Sequence, residues 1–351
     1  MQPLPALLIR ADAHTRIGAG HLMRCLALAQ HWRVNGGEAV FITACDSPAA
    51  LRWLTDEGFR VVLLKKSYPD VEEWSMTAQV LEAYLKAWVV LDGYHFDSAY
   101  QQKIKETGHA LLVVDDLAGL DHYYANIVLN QNVYASQLQY TGETTTRWLM
   151  GTDYVLLRRE FWPWRTWRRE VPETARKILV TMGGGDAENV THKVVNALQL
   201  IAQPDLEAVV VVGGNNPHLQ TLQAVIEQSS INIRLMQNVA NMPELMAWAD
   251  IAISAAGSTS WELAYMGLPS LLIVVAANQE PIARDVAEIN CALNLGWHCQ
   301  LSIANLADQI SQLLNDTAQQ RLLGRNSRQL VDGLGTERVY NQVIRSDKVK
   351  I

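Results

Sequence analysis

Strand-length runs of aliphatic residues alternate with longer amphipathic stretches along this chain, and the alternation happens twice. In the first half Leu7–Arg10, Ala39–Thr43, Arg60–Leu64, Trp88–Asp92 and Ala110–Asp115 read as strands rich in Val, Ile and Leu. Between them Gly20–Arg33, Glu72–Ala87 and Asp97–Glu106 carry apolar residues at helical spacing, as in Val80, Leu81, Tyr84, Leu85 and Trp88. The second half restarts with Lys177–Met182, Leu206–Val212, Ile233–Met236, Ile251–Ser254 and Ser270–Val275, and its helices are expected to begin near Ala187, Pro217, Met242, Thr259 and Glu280. Continuously apolar strands separated by helices mean a parallel sheet covered on both faces. Two such sets predict an α/β chain of two doubly wound, Rossmann-like domains. Ligands of such sheets sit beyond the carboxyl ends of the strands, so an inter-domain cleft is the expected binding place. The division is expected at residues 1–161 and 177–351, joined by a charged, proline-containing linker over 162–176. The last helical stretch, from about Thr317 to Ile344, is expected to pack across the seam.

Composition narrows the class. The 351 residues are 49% hydrophobic and 19% charged, which excludes disorder, collagen and coiled coil. A balance of 29 basic against 36 acidic residues argues against nucleic acid as a partner. Cys25, Cys45, Cys291 and Cys299 show no CxxC spacing, so neither a zinc site nor a disulfide framework is expected. The first residues lack a basic leader pattern and no run of about 18 apolar residues exists, which predicts a cytoplasmic protein without stable membrane insertion. Nothing demands more than a monomer.

Chemistry is expected in the loops that follow the strands. After the first strand, Gly18 and Gly20 stand where a loop turns into a helix, and His21 falls in its first turn. Glycines there let backbone amides approach a ligand, and the helix dipole disfavours the imidazolium, leaving a neutral base. The plain alternative is a half-buried imidazole making one hydrogen bond. A dinucleotide fingerprint would want a third Gly where Met23 stands, and no acidic residue closes the second strand, so a nicotinamide dehydrogenase is disfavoured. Asp92, Tyr94 and His95 end another strand at the same rim. Asp115 and Asp116 could position a sugar hydroxyl or cap a turn, and Asn130 with its neighbours offers neutral amides suited to carbohydrate.

In the second half Gly183, Gly184 and Gly185 follow a strand, Gly213 and Gly214 repeat the device, and Gly257, Ser258, Thr259 and Ser260 lead from a strand into a helix. Free amides and hydroxyls at such a helix start match a diphosphate, and Glu262 could accept both ribose hydroxyls or simply complement the helix dipole. Asn278 and Gln279 end the last strand with donors and acceptors for phosphate or sugar oxygens. No GxxxxGK[ST] occurs, which excludes a P-loop phosphotransferase. The stretch from Leu157 to Arg169 mixes five arginines with three tryptophans. It reads as a connector whose aromatics dock on sheet edges while the arginines stay wet, Arg158 being the one expected to reach the cleft.

Taken together these residues resemble one family, the UDP-sugar hydrolases of pseudaminic acid biosynthesis. The resemblance rests on Arg10-Ala-Asp, Ile17-Gly-Ala-Gly-His-Leu-Met-Arg, Asp92-Gly-Tyr, Val114-Asp-Asp, Asn130-Gln-Asn-Val-Tyr, Leu157-Arg-Arg-Glu-Phe, Met182-Gly-Gly-Gly-Asp, Ser254-Ala-Ala-Gly-Ser-Thr-Ser-Trp-Glu and Asn278-Gln-Glu. It implies a GT-B fold, a first domain for the sugar and the chemistry, and a second for the nucleotide diphosphate. The implied reaction is hydrolysis of UDP-2,4-diacetamido-2,4,6-trideoxy-β-L-altropyranose at C1 with inversion. His21 matches the catalytic histidine and Tyr94 a tyrosine near the reacting centre; Glu262 and Asn278 match nucleotide-sugar contacts, Arg158 the arginine of the Leu-Arg-x-Glu-Phe element. Arg10, Asp12 and Asn130 are expected among the substrate contacts. The chain departs from the family pattern at His14, where a small hydroxyl residue is common, and at Gly93, where a bulkier one is. No cofactor or divalent metal is demanded, since amide donors can carry the diphosphate. A glycosyltransferase of the same fold and a non-catalytic nucleotide-sugar binder remain the alternatives.

Overall fold

The computed structural model describes residues 4–13, 19–214 and 216–348. The chain divides into two compact units, residues 1–159 with 333–351, and residues 160–332.

The first unit runs β1 (Leu7–Ala11), α1 (Gly20–Val34), β2 (Ala39–Thr43), α2 (Pro48–Asp56), β3 (Arg60–Leu63), α3 (Val71–Ala83), β4 (Trp88–Asp92), α4 (Ser98–Glu106), β5 (Ala110–Val114), β6 (Ile127–Asn130) and β7 (Arg147–Met150). Among the described residues these strands form one seven-stranded sheet in the order β3-β2-β1-β4-β5-β6-β7. Every pairing is parallel. Successive side chains of a strand leave on opposite faces. Leu7, Ile9, Phe41, Trp88, Val90 and Leu112 thus join one core, while Leu8, Val40, Ile42, Val89, Leu91 and Leu111 join another. Each such aliphatic side chain contributes about 1.5–3 kcal/mol by leaving water. Strands buried on both sides show no polar alternation, which is why β1, β2, β4 and β5 stand out in the sequence.

The second unit runs β8 (Lys177–Thr181), α5 (Val190–Leu198), β9 (Glu207–Val212), α6 (Leu219–Glu227), β10 (Asn232–Gln237), α7 (Met242–Trp248), β11 (Ile251–Ala255), α8 (Thr259–Tyr265), β12 (Ser270–Val274), α9 (Glu280–Glu288), β13 (Leu293–Trp297), α10 (Ile303–Asn315) and α11 (Thr317–Leu330). Its parallel strands lie in the order β10-β9-β8-β11-β12-β13. In both sheets the order reverses beside the first strand, so the switch points lie at β1/β4 and at β8/β11. In the first sheet Ala11 is level with Asp92, and in the second Thr181 is level with Ser254.

The expected boundary at the C-terminus is corrected by α12 (Gly335–Lys348), which belongs to the first unit. Val339 and Val343 are fully buried in the core that holds Leu7 and Leu26. The Tyr340 ring meets Trp32 edge-on at 5.4 Å, and the Leu157 amide donates to the Thr336 hydroxyl at 3.1 Å. An apolar stripe at i, i+4 needs a groove, and α1 of the first unit supplies it.

The arginine–tryptophan connector is also less wet than expected. Arg169 donates to the carbonyls of Met246, Ala249 and Met266, which close α7 and α8. Helix C-termini leave carbonyls without intrahelical partners, and a guanidinium with five donors satisfies several at once. Arg158 is buried with its guanidinium 4.9 Å from the Trp53 ring centre, and Arg159 pairs with Glu57 at 3.0 Å.

Candidate functional site

Three residues meet at the switch point of the first sheet. His21 is the second residue of α1, Asp92 the last of β4, and Arg24 lies one helical turn beyond His21 on the same face. The Nδ1 of His21 is 2.6 Å from Asp92 Oδ1. Burial alone would raise the Asp92 carboxyl, but the Arg24 guanidinium and then His21 outweigh it and hold the group well below the usual carboxylate range. An ionised carboxylate only accepts, so Nδ1 carries a hydrogen, and in the neutral ring the lone pair falls on Nε2. Arg24 NH2 also approaches Nδ1, at 3.2 Å; with Nδ1 protonated, its useful bond is the one it donates to Asp92 Oδ1 at 2.7 Å.

Tyr94 stands beside this pair. Its ring meets the imidazole edge-on, with centroids 4.8 Å apart and planes at 83°. Its hydroxyl donates to Asp116 Oδ2 at 2.8 Å although the residue is 45% exposed. Asp116 further accepts from Arg24 and, at 2.7 Å, from Asn132. Burial would raise the Asp116 carboxyl; Arg24 prevails and lowers it. Asp115 takes the other option open to it, capping a turn through the amides of Leu117 and Ala118. Burial raises its carboxyl. Asn130 is fully buried and accepts from Asn132, while its amide donates to Tyr140. Both polar atoms of its side-chain amide are thus engaged within the protein.

Arg10 and Asp12, expected to touch substrate, are placed differently. Arg10 is fully buried, donates to both oxygens of Asp12, and donates through Nε to Glu73 at 2.8 Å. Asp12 also accepts from the Ala44 amide at 2.6 Å and lies 3.1 Å from His95 Nε2. Burial pushes the Asp12 carboxyl up, but the His95 and Arg10 contacts take it down to about 2. A ligand could engage Arg10 only by breaking these pairs. The Gly93 departure acquires a cause here. Gly93 has φ +157°, and a Cβ on it would lie 2.9 Å from His95 Cε1 and 3.0 Å from Phe96 Cε2, so the small residue lets the His95 ring fold back toward Asp12. Gly20 is the first residue of α1; Gly18 and His14 lie outside the described residues.

In the second unit, Gly183 to Gly185 form a turn after β8, and Gly257 with Ser258 leads from β11 into α8, so both flank the second switch point. Gly213 is required by the first of these turns. A Cβ there would stand 2.2 Å from the Gly184 carbonyl oxygen and 2.8 Å from its Cα. Gly213→Ala should destabilise the second unit by about 1–3 kcal/mol in urea unfolding, the range of overpacked positions; an unchanged midpoint would mean the two turns can part. The start of α5 is already served from within the chain, since Asp186 accepts from the amides of Val190 and Thr191. Ser258 is exposed, and Thr259, Glu262 and Asn278 are half-buried. Gln279 accepts from the Val275 amide at 3.1 Å. Ser260 points the other way: its hydroxyl is buried in a pocket with Leu263, Leu272, Val286 and Ala292, so it is removed from any ligand at the helix start. Among the described residues no group of three or more His, Cys, Asp or Glu is arranged to hold a metal ion, and no helix is long and apolar enough to cross a membrane.

The sequence marks Asp92 only by its place at a strand end, offers Asp116 and Asn132 as sugar contacts rather than as partners of Arg24 and Tyr94, and gives Arg24 no task. The i, i+3 spacing of His21 and Arg24 on one helix was the available signal.

Two doubly wound parallel sheets of this topology define the GT-B fold class, and the solved structure of Acinetobacter baumannii MurG shares it, with a TM-score of 0.69 at 16% identity over 97% of this chain and 100% of that one. Residues 177–334 match the glycosyltransferase family 28 C-terminal domain. Similar in sequence are the spore coat polysaccharide biosynthesis protein SpsG of Bacillus subtilis, 26% identical over 333 residues (94% of this chain and 95% of that protein), and the UDP-2,4-diacetamido-2,4,6-trideoxy-β-L-altropyranose hydrolase of Campylobacter jejuni, 26% identical over 293 residues (80% and 96%). Protein MJ1062 of Methanocaldococcus jannaschii is 27% identical over 296 residues, and this chain spans 56% of its length.

Proposed function

We propose that this chain hydrolyses a UDP-sugar at the anomeric C1–O bond with inversion, releasing UDP and free sugar, and that the sugar is 2,4-diacetamido-2,4,6-trideoxy-β-L-altropyranose on the route to pseudaminic acid. The observation that carries the reading is the His21–Asp92 pair, a histidine with a fixed tautomer at the switch point of a sheet. The name of the Campylobacter relative supports the substrate, and the match over 177–334 supports a nucleotide-sugar ligand.

In this reading His21 Nε2 takes a proton from water as the water oxygen bonds to C1. The C1–O bond to phosphate breaks, and UDP leaves with the electron pair. Asp92, accepting from Nδ1–H, stabilises the imidazolium that forms. Tyr94 walls the imidazole. Amide and hydroxyl donors near Gly184, Gly185, Ser258 and Thr259 stabilise the departing diphosphate, with Glu262 and Asn278 on the nucleotide sugar. Holding water and sugar in line supplies the remainder.

Transfer to an acceptor is the second reading, favoured by the glycosyltransferase family matched over 177–334. Turnover in water enriched in heavy oxygen separates the two. With no acceptor added, label in the free sugar is expected. Label in UDP or UMP would mean attack on phosphorus, and sugar release only on adding an acceptor would make the chain a transferase.

A further inference from the structure

Arg24 and Asp116 are among the most deeply buried charges at the site, and the reaction outlined above gives neither a task. Arg24 is 7% exposed, Asp116 6% and Asp92 0%. One edge of the guanidinium faces Asp92, with Nε 2.6 Å from Oδ2 and NH2 2.7 Å from Oδ1. NH1 lies 2.8 and 3.0 Å from the two oxygens of Asp116. The remaining donors complete the set. Cys25 Sγ is 3.4 Å from Asp92 Oδ2, and Asn132 and Tyr94 donate to Oδ1 and Oδ2 of Asp116. Both oxygens of each carboxylate therefore accept from two donors, and Arg24 reaches all four oxygens.

We propose that Arg24 is the positioning residue of this site: by keeping Asp92 and Asp116 ionised side by side, it fixes the His21 tautomer through the first and the Tyr94 ring through the second. The inference rests on the reading of His21 as the base, but concerns a geometry that can be observed without turnover.

Two buried carboxylates around one cation cannot both stay ionised once the cation is gone, because burial and mutual repulsion drive a proton onto one of them. A protonated Asp92 can donate, which frees His21 to adopt the tautomer with hydrogen on Nε2, useless for accepting a proton from water. A protonated Asp116 loosens its hold on the Tyr94 hydroxyl. The charges also suit the reaction. Asp92, Asp116 and Arg24 together carry one net negative charge, and an imidazolium at His21 brings the cluster to neutrality. The groups facing His21 are thus Asp92, Arg24 and Tyr94, with Asp116 and Cys25 behind them; burial and then Asp92 push the Cys25 thiol up, so it serves as a donor. Lysine could not replace Arg24, since a point charge lacks the fork that spans two carboxylates.

The test uses the intact protein with nitrogen-15-labelled histidine. Ring-nitrogen NMR of the ligand-free protein above neutral pH should show His21 as the Nδ1–H tautomer. Arg24→Lys should give mixed tautomers. With UDP-2,4-diacetamido-2,4,6-trideoxy-β-L-altropyranose as probe, the same variant should lose about 10²-fold in kcat or more, within the range a general base supplies, while KM stays within about threefold and a further ionisation enters the pH–rate profile. Asp116→Asn, nearly isosteric, keeps the measurement available should the lysine variant fail to fold. It removes one negative charge from the cluster, so the acid limb of kcat/KM should move to lower pH. Wild-type tautomer and pH profile in both variants, with only a lower melting temperature, would reduce Arg24 to a structural ion pair and overturn the proposal. If the wild-type protein releases no sugar from the probe, the hydrolase reading fails, and the NMR result still decides the role of Arg24.

Discussion

His21→Ala is expected to lower kcat by about 10²–10⁴-fold, the contribution of a positioned general base, and to leave UDP affinity nearly unchanged. The two halves of this result come from different places in the molecule. The imidazole is held at the end of β4 in the first unit, whereas nucleotide contacts are assigned to loops of the second. The variant should fold. Alanine is the best helix former at an α1 position, and Asp92 keeps Arg24 and Cys25 as donors. Losing one charge-assisted bond to a satisfied carboxylate costs about 1.5–3 kcal/mol, a measurable drop in melting temperature. Steady-state hydrolysis and titration calorimetry with UDP check the two halves. Loss of UDP affinity with kcat intact would make His21 a phosphate contact and remove the base from the mechanism.

Much of this arrangement could be read from residue order, and the reasons are specific. Central strands such as Val89–Leu91 are buried on both faces, so their hydrophobicity is unbroken and their ends are sharp; Asp92 closes one of them. Two of the four edge strands were missed for the opposite reason, whereas the edges β3 and β10 were read. β7 is four residues long and partly exposed, and β13 contains Asn294 and Gly296. His21 was legible because a glycine turn after a first strand is a recognisable place. Arg24 was not, because a basic residue on an amphipathic helix ordinarily points to water, and only the registers of β1 against β4 and of β4 against β5 place two carboxylates opposite it. Ser260 misled for a related reason. One step along α8 turns a side chain by about 100°, enough to carry its hydroxyl from the helix start to the core. The connector arginines show the same limit, since Arg169 is explained by helix ends that lie about 80 and 97 residues downstream.

Arg10 offers the clearest case where two roles predict different measurements. As a ligand contact it would set affinity; as a buried ion it sets stability. Its guanidinium is enclosed by Asp12 and Glu73, and Glu73 also accepts from Thr77 and Tyr100. Phe96 covers it at 4.8 Å. Arg10→Met removes the only cation that contacts both carboxylates among the described residues, while filling a similar volume. Breaking a buried pair on one side costs about 3–5 kcal/mol, because the abandoned charge stays in a medium that solvates it poorly. The first unit should therefore unfold at much lower urea, and at neutral pH one carboxylate should take up a proton that the native protein does not bind. Pairing Arg10→Met with Asp12→Asn should recover part of the loss, since the double variant no longer strands both charges. If instead the single variant melts as the wild type and loses only affinity for the UDP-sugar, Arg10 contacts the ligand as the Arg10-Ala-Asp resemblance implies, and its ion pairs must open for binding.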